Sequence, residues 1–192
     1  MQTPPAVAFS HLGIYVTDLA RMEDFYARIV GLLVTDRGNL GPSQLVFLSR
    51  DPREHHQLVL CSGRPADTAF NVVNQISFRL VSLSDLRAVH ARLVREQAQE
   101  IRPINHGISW SVYARDPEGS RLEFFVDTPW YVPQPLREPL DLSLTDEQVS
   151  ATTEAACKRD PGFKPMSEWR DHMTARITAR RVGETVEARG DD

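Results

Sequence analysis

A repeat with a period of about 64 residues organises the first two thirds of this chain. The segment Ser10–Val16 alternates apolar and polar residues, as a half-buried strand does, and Asn74–Leu80 repeats the alternation in the same phase. The polar face of each copy carries one notable side chain, His11 in the first and Gln75 in the second. Because internal repetition usually reflects repeated structural units, we expect two equivalent modules.

Each copy continues with the pattern of one helix and three short strands. The predicted helices have apolar stripes formed by Leu19, Met22, Phe25 and Ile29 in the first copy and by Leu83, Leu86, Val89 and Leu93 in the second. Asp18 and Ser84-Asp85 are suited to begin these helices, and Gly31 is suited to end the first. The later strands are predicted near Val34–Arg37, Leu45–Ser49, His56–Cys61, Glu100–Pro103, Ile108–Ala114 and Arg121–Val126. Both copies therefore have the order βαβββ, which predicts an α+β fold with modules at about residues 8–64 and 72–128.

Composition narrows the class of protein. The chain has 192 residues, 41% hydrophobic and 25% charged, with a net charge of −4, which is typical of a globular protein. It has no basic block of the kind that follows a phosphate backbone, so we expect no nucleic-acid partner. Its apolar runs fall far short of the roughly 20 residues that span a bilayer, and Met1–Pro5 lacks the start of a signal peptide. Cys61 and Cys157 are too few for a disulfide framework, so we expect a cytoplasmic protein without a membrane partner.

The composition changes after Asp127. Four prolines within the next dozen residues predict an extended arm, and Thr145–Gln148 is a capping-box pattern that opens a helix. A second helix is predicted from Ser167. We therefore divide the chain into a two-module domain, residues 1–128, and a Pro-rich arm with a helical extension, residues 129–192.

The helical extension carries more apolar residues than a solvated appendage needs. One hypothesis is that it closes the substrate pocket or wraps a partner subunit, with Trp130 or Tyr131 touching the bound substrate. The alternative is that it packs on the outer helices and only stabilises the fold.

Three polar side chains stand at strand positions that face inward; they are His11, Gln75 and Glu123. Glu123 interrupts an otherwise apolar final strand, and a buried carboxylate is unfavourable without a partner. A metal ion is one possible partner. The other is an arginine at the strand edge, Arg79 or Arg121.

The spacing leaves a choice between two neighbouring histidines in the first copy. Aligning the copies on their Asp-Pro turns gives an offset of 65, which pairs Leu58 with Glu123 and puts His56 on the inward face. An offset of 64 selects His55 instead.

The paired modules and the ending Asp-Pro-Glu-Gly-Ser-Arg-Leu-Glu-Phe-Phe (116–125) resemble the vicinal oxygen chelate superfamily. Within it, the chain most resembles type I extradiol catechol dioxygenases, over about residues 8–131. The resemblance implies an open, cupped sheet with a metal in the cup. That metal is usually Fe(II) and occasionally Mn(II).

Carried onto this sequence, the resemblance assigns roles to individual residues. The implied metal ligands are His11, position 75 and Glu123. The implied catalytic residues are His56 as acid–base and Tyr113 and His106 as contacts to the substrate. One departure stands out, because position 75 is Gln where the family has His. A neutral amide oxygen is a weaker donor than imidazole, so weak iron binding, another metal or a metal-free site are all open.

The resulting prediction is a metal-dependent enzyme that cleaves a catechol-like ring with O2. Bringing substrate and O2 to one metal is chiefly catalysis by proximity. One alternative is another metalloenzyme of the same fold, an isomerase or lyase of the glyoxalase kind. A second is a non-catalytic small-molecule binding protein of the bleomycin-resistance kind. We also expect a homo-oligomer.

Overall fold

The computed structural model describes residues 7–68 and 70–187, and side chains as far as residue 179. The Met1–Pro5 segment considered above lies outside the described residues. The chain forms two compact units. We call Phe9–Ile104 with Ser111–Val126 the paired-module unit. The described part of the other unit, residues 7–8, 105–110 and 127–187, we call the C-terminal unit.

The first module has the predicted order of one strand, a helix and three strands. Its elements are β1 (Leu12–Val16), α1 (Leu19–Phe25), a π-helical turn (Tyr26–Val30), β2 (Leu33–Leu40), β3 (Ser43–Ser49) and β4 (Leu58–Ser62). The Asp18 side chain accepts a hydrogen bond from the Arg21 backbone N–H, and Gly31 ends the helix at φ 84°. The strand order is β1-β4-β3-β2, with β1 and β4 parallel.

The second module repeats this arrangement. Its elements are β5 (Ile76–Arg79), α2 (Leu83–Arg95), β6 (Arg102–Asn105), β7 (Ser109–Arg115) and β8 (Arg121–Asp127). The strands lie in the order β6-β7-β8-β5, again with the first and last strands of the module parallel. The helix begins after Ser82, two residues before the predicted cap, because the Ser82 hydroxyl accepts from the Asp85 N–H. The α+β fold of paired βαβββ modules is confirmed.

The strand pairs of the two modules correspond to each other at a constant spacing of 64 residues. Gly13 pairs with Val59 in the first module, and 64 positions later Ser77 pairs with Glu123 in the second. Glu123 therefore corresponds to Val59 and not to Leu58. A one-residue difference in register matters here because it moves a side chain to the other face of the sheet.

The Asp-Pro-Glu-Gly turn before β8 contacts the first module. The carboxylate of Glu118 accepts hydrogen bonds from the backbone N–H groups of Thr17 and Asp18, each at 2.7 Å. The N–H of Asp18, the N-cap residue, is one of those that the start of α1 leaves without a helical partner. Arg64 lies 3.3 Å from the other Glu118 oxygen, so the turn and the first module are also joined by an ion pair.

The C-terminal unit contains β9 (Trp130–Tyr131), β10 (Glu138–Pro139), α3 (Asp146–Cys157), β11 (Lys164–Pro165) and α4 (Met166–Glu187). Thr145 and Gln148 form the predicted capping box of α3. The buried Thr153 hydroxyl on α3 accepts hydrogen bonds from the side chains of Asn105 and Trp110 at 2.9 and 2.8 Å. Among the described helices, none combines the length and the apolar character needed to cross a membrane.

Candidate functional site

The centre of the candidate site is the carboxylate of Glu123 on β8, which is only 8% exposed. Its two oxygens accept two hydrogen bonds each. Oε1 accepts from the hydroxyls of Ser111 and Tyr113 at 2.8 and 2.7 Å. Oε2 accepts from the Ser77 hydroxyl at 2.7 Å and from the Gln75 amide at 2.9 Å. We call these four donors and Glu123 the carboxylate cluster.

Strand geometry explains why these side chains meet. Side chains of a strand alternate between its faces, so Gln75 and Ser77 share one face of the chain at β5, and Ser111 and Tyr113 share one face of β7. The pairing of Ser77 with Glu123 aligns β5 with β8 at this level. The opposite face of the same strands is apolar, because Phe78 stacks on Phe124 with ring centroids 5.5 Å apart.

In the part of the chain that the structure describes, every hydrogen-bond donor to Glu123 is uncharged. Among the described residues no arginine pairs with it: the Arg79 guanidinium lies over the Phe125 ring at 5.0 Å, and Arg121 reaches Asn74. The arginine partner considered from the sequence is therefore not found there. Four neutral donors satisfy the lone pairs of the carboxylate but leave its charge without a cation, and buried charges are normally paired or bound to metal.

The first module contributes a group of imidazoles. The rings of His11 and His56 have centroids 4.2 Å apart, and His55 lies 5.2 Å from His56. Phe47 contacts both His55 and His56. Burial lowers the pKa of His56, and the neighbouring His11 and His55 lower it further. The offset of 64 seen in the strand pairs is the one that selects His55, whereas His56 is the ring that contacts His11, so the acid–base role of His56 stays a prediction.

A cleft of about 1170 Å³ lies in the paired-module unit. Its walls include His55 from the first module and Ser77 from the second, so the imidazole group and the carboxylate cluster each contribute one residue to it. The space exceeds the ~300–1,000 Å³ usual for small-molecule sites. Glu123 itself is not part of the cleft wall.

The predicted metal ligands offer the right donor atoms for a divalent ion: an imidazole nitrogen, an amide oxygen and a carboxylate oxygen. Within the described residues the Gln75 amide oxygen accepts no hydrogen bond, since its N–H group makes the contacts to Ser77 and Glu123. The unpaired charge of Glu123 also suits a cation. No hydrogen bond or ion pair joins His11 to Glu123 in that part of the chain, and no group of three His, Cys, Asp or Glu side chains there is placed to hold a metal. The predicted ligand set contains only two residues of these types, His11 and Glu123, and its third member is Gln75.

The remaining predicted residues belong to the C-terminal unit. The Nδ1 of His106 lies 2.7 Å from the Leu136 carbonyl oxygen and therefore donates to it. Tyr131 stacks on Trp169 at 5.5 Å, and Trp130 contacts Trp110 edge-on at 6.5 Å. The aromatic pair proposed to touch a bound ring thus makes aromatic contacts within its own unit.

Sequence reasoning missed Ser77 and Ser111. Both lie two residues from a residue that was singled out, Ser77 from Gln75 and Ser111 from Tyr113. Following each strand one alternation further would have found them.

Comparison with known proteins gives a family-level match. The model of the "Glyoxalase/Bleomycin resistance protein/Dioxygenase superfamily" matches residues 8–124. Two curated relatives from Rhodococcus globerulus are "Biphenyl-2,3-diol 1,2-dioxygenase 2", 24% identical over 123 residues, and "Biphenyl-2,3-diol 1,2-dioxygenase 3", 29% identical over 133 residues. The first match covers 62% of this chain and 62% of the relative, and the second covers 66% of each. The chain therefore matches slightly less than two thirds of the length of these relatives.

Solved structures support the same fold. A glyoxylase/bleomycin resistance protein/dioxygenase domain from Frankia sp. EAN1pec has a TM-score of 0.57 at 22% identity, covering 65% of this chain and 94% of that one. A fosfomycin resistance protein, FosX, from Listeria monocytogenes, in complex with Mn(II) and 1S,2S-dihydroxypropylphosphonic acid, has a TM-score of 0.53 at 17% identity, covering 65% of this chain and 95% of that one. At such identities the likeness shows the fold.

Proposed function

The chain belongs to the glyoxalase/bleomycin resistance protein/dioxygenase superfamily, and we propose that within it the protein is a divalent-metal enzyme that cleaves a catechol-like aromatic ring with O2. The observation that carries the proposal is the buried carboxylate of Glu123, whose described donors are all neutral. The similarity to two biphenyl-diol dioxygenases supports the choice of reaction.

In this proposal His11, Gln75 and Glu123 hold the metal. Fe(II) is the first candidate because O2 chemistry needs a redox-active ion, and Mn(II) is the second. When bound, the ion supplies a Lewis-acid centre for two neighbouring substrate oxygens and redox chemistry toward O2.

The protein's own groups bind the substrate and move its protons. The Tyr113 hydroxyl donates a hydrogen bond to Glu123, so its oxygen is suited to accept one from a substrate hydroxyl. His56, beside His11, is the proposed acid–base group that takes a proton from the neighbouring substrate hydroxyl. His106 is the third proposed contact to the substrate.

A second candidate function rests on Gln75. Because an amide replaces the imidazole typical of Fe(II) oxygenases, the site also suits a non-oxidative metalloenzyme, such as an isomerase or lyase. A reaction of that class requires no O2.

The test is anaerobic loading of the purified full chain with Fe(II), followed by metal analysis and a ring-cleavage absorbance assay with catechol and biphenyl-2,3-diol. The proposal expects bound iron and product formation that starts only when O2 is admitted. Turnover of a substrate under nitrogen favours the second candidate. A protein that takes up neither Fe(II) nor Mn(II) contradicts both.

A further inference from the structure

We infer that two serines hold the carboxylate of Glu123 in different ways: Ser111 fixes one oxygen permanently, and Ser77 occupies the other until a divalent metal displaces it. This inference rests on the proposed metal-binding function. It makes Ser111 a positioning residue and Ser77 a competitor of the metal, and neither residue was singled out by the sequence.

The contact from Ser111 has the properties of a permanent support. Ser111 is completely buried, and its hydroxyl donates to Glu123 Oε1 at 2.8 Å. Tyr113 donates to the same oxygen at 2.7 Å. Water cannot replace the Ser111 hydroxyl without entering the packed sheet, so loss of this hydroxyl leaves a buried carboxylate oxygen with one hydrogen bond fewer.

The contact from Ser77 has the properties of an exchangeable one. Ser77 is exposed and lines the cleft, while its hydroxyl donates to Glu123 Oε2 at 2.7 Å. Its neighbour Gln75 donates to the same oxygen and also to the Ser77 hydroxyl, at 3.1 Å. The hydroxyl of an exposed residue can rotate away and be hydrated at little cost, which frees Oε2 for a cation.

The two oxygens therefore differ in their readiness to bind a metal. A carboxylate oxygen that accepts two hydrogen bonds has its lone pairs occupied. On Oε1 both donors lie on β7 and Ser111 is completely buried, whereas on Oε2 one donor, Ser77, is an exposed residue. Metal binding thus takes Oε2, and the support of Oε1 keeps the carboxylate oriented.

This difference predicts opposite effects for two substitutions of the same kind. Ser111→Ala removes the support and is expected to weaken Mn(II) binding by about 10-fold or more, in the range of outer-shell partners. Ser77→Ala removes the competing donor, so Mn(II) binding is expected to stay the same or become several-fold tighter. A purely structural role of both hydroxyls would weaken binding in both variants.

The experiment is calorimetric titration of the metal-free full chain with Mn(II), for the wild type, Ser111→Ala and Ser77→Ala. Ser77→Thr is the matched control, because it keeps the hydroxyl at the exposed position and is expected to bind like the wild type. If Ser111→Ala does not fold, Ser111→Cys replaces it, since it keeps the size but is only a weak donor, and an intermediate loss of affinity is expected. Urea denaturation of each metal-free variant checks folding.

The outcomes separate this inference from the proposed function. Equal weakening in both alanine variants, or stronger weakening in Ser77→Ala, overturns the inference while the metal enzyme stands. A wild-type protein that binds no Mn(II) overturns the metal role of the cluster together with the proposed function. Mn(II) binding in the expected order, without ring cleavage by the Fe(II)-loaded wild type, supports the inference and contradicts only the proposed reaction.

Discussion

The phenol of Tyr26 donates a hydrogen bond of 3.0 Å to Oδ2 of Asp116, and so joins the helix of the first module to the turn before β8 in the second. Both residues are buried, Tyr26 completely and Asp116 to all but 4%. The other oxygen of Asp116 accepts from the backbone N–H groups of Glu118 and Ser120, which fixes the turn. The residue pair thus ties the conformation of the turn to the packing of the two modules.

Replacing Tyr26 by Phe tests this link. The variant keeps the ring in its buried position but removes a donor from a buried carboxylate, which typically lowers the free energy of unfolding by about 1–3 kcal/mol. Urea denaturation followed by circular dichroism measures the change. Tyr15→Phe is the control: Tyr15 is 66% exposed, and its substitution is expected to change stability by no more than about 0.5 kcal/mol. Equal stability of the wild type and Tyr26→Phe contradicts a stabilising role for the hydrogen bond.

Asp116 also predicts a pH dependence. Burial raises the pKa of the Asp116 carboxyl above its ordinary value of 3.8, although its hydrogen bonds act in the opposite direction. A carboxyl with a raised pKa in the folded state gives a contribution to stability that is fully present below the unfolded value and is lost as pH rises through the folded value. Asp116→Asn abolishes this titration. The free energy of unfolding of the variant, relative to that of the wild type, is therefore expected to rise as pH increases from below 3.8 through the raised pKa of Asp116. Urea denaturation at a series of pH values measures this difference. If the free energy of unfolding of the variant instead falls relative to the wild type over this pH range, the raised pKa of Asp116 is contradicted.

The sequence was informative wherever structure depends on neighbouring residues along the chain. The alternation in Ser10–Val16 and Asn74–Leu80 predicted both first strands because a half-buried strand is a local pattern. Asp18 and Gly31 were predicted as helix ends for the same reason. The continuation of α1 as a π-helical turn at Tyr26–Val30 was not predicted, because no local sequence pattern marks it.

The carboxylate cluster shows where sequence reasoning stops. Glu123 could be identified as a site residue from the sequence, because a carboxylate within an apolar strand is unusual however that strand is paired. The four donors come from β7 and from the chain at β5, so their contacts depend on a pairing register that composition does not give. The spacing of the Asp-Pro turns suggested an offset of 65, one residue away from the offset of the strand pairs, because the loop lengths of the two modules differ.

Gly107 is expected to tolerate no side chain. Its φ is 74°, and a Cβ atom there would lie 2.6 Å from Val132 Cγ1, 2.8 Å from Cys157 Sγ and 2.9 Å from Leu136 Cδ2. Gly107→Ala therefore combines backbone strain of about 1–2 kcal/mol with overpacking of about 1–3 kcal/mol. Thermal denaturation should show a large fall in Tm.

Gly119 supplies the matched control for that substitution. Its φ of 83° is similar, but apart from the adjoining residues no atom of the described chain lies within 4 Å of the added Cβ. Gly119→Ala is therefore expected to lower the free energy of unfolding only through backbone strain, by about 1–2 kcal/mol. Equal losses in the two variants would show that the close contacts at Gly107 cost nothing.

Replacing Gln75 by His tests whether position 75 is a metal ligand. Imidazole is a stronger donor than an amide oxygen for Fe(II), so Gln75→His is expected to tighten Fe(II) binding on the order of tenfold, or about 1.4 kcal/mol. Gln75→Leu removes the donor atom and should bind more weakly than the wild type. Anaerobic Fe(II) titration with a chelator in competition measures all three proteins. Identical affinities would mean that position 75 does not contact the ion.

Glu123→Gln tests the metal site at its only predicted charged ligand. The amide keeps the size of the side chain and one acceptor oxygen, so several contacts of the carboxylate cluster can persist, but the negative charge that favours a divalent ion is lost. We expect metal affinity to fall by more than the roughly 10–100-fold seen for outer-shell partners. Glu147→Gln, at an exposed position on α3, controls for the change in net charge and should load fully. Metal content after dialysis against Fe(II) or Mn(II), measured by elemental analysis, gives the result. Full occupancy in Glu123→Gln would remove Glu123 from the ligand set and leave its four hydrogen bonds as a structural feature of the second module.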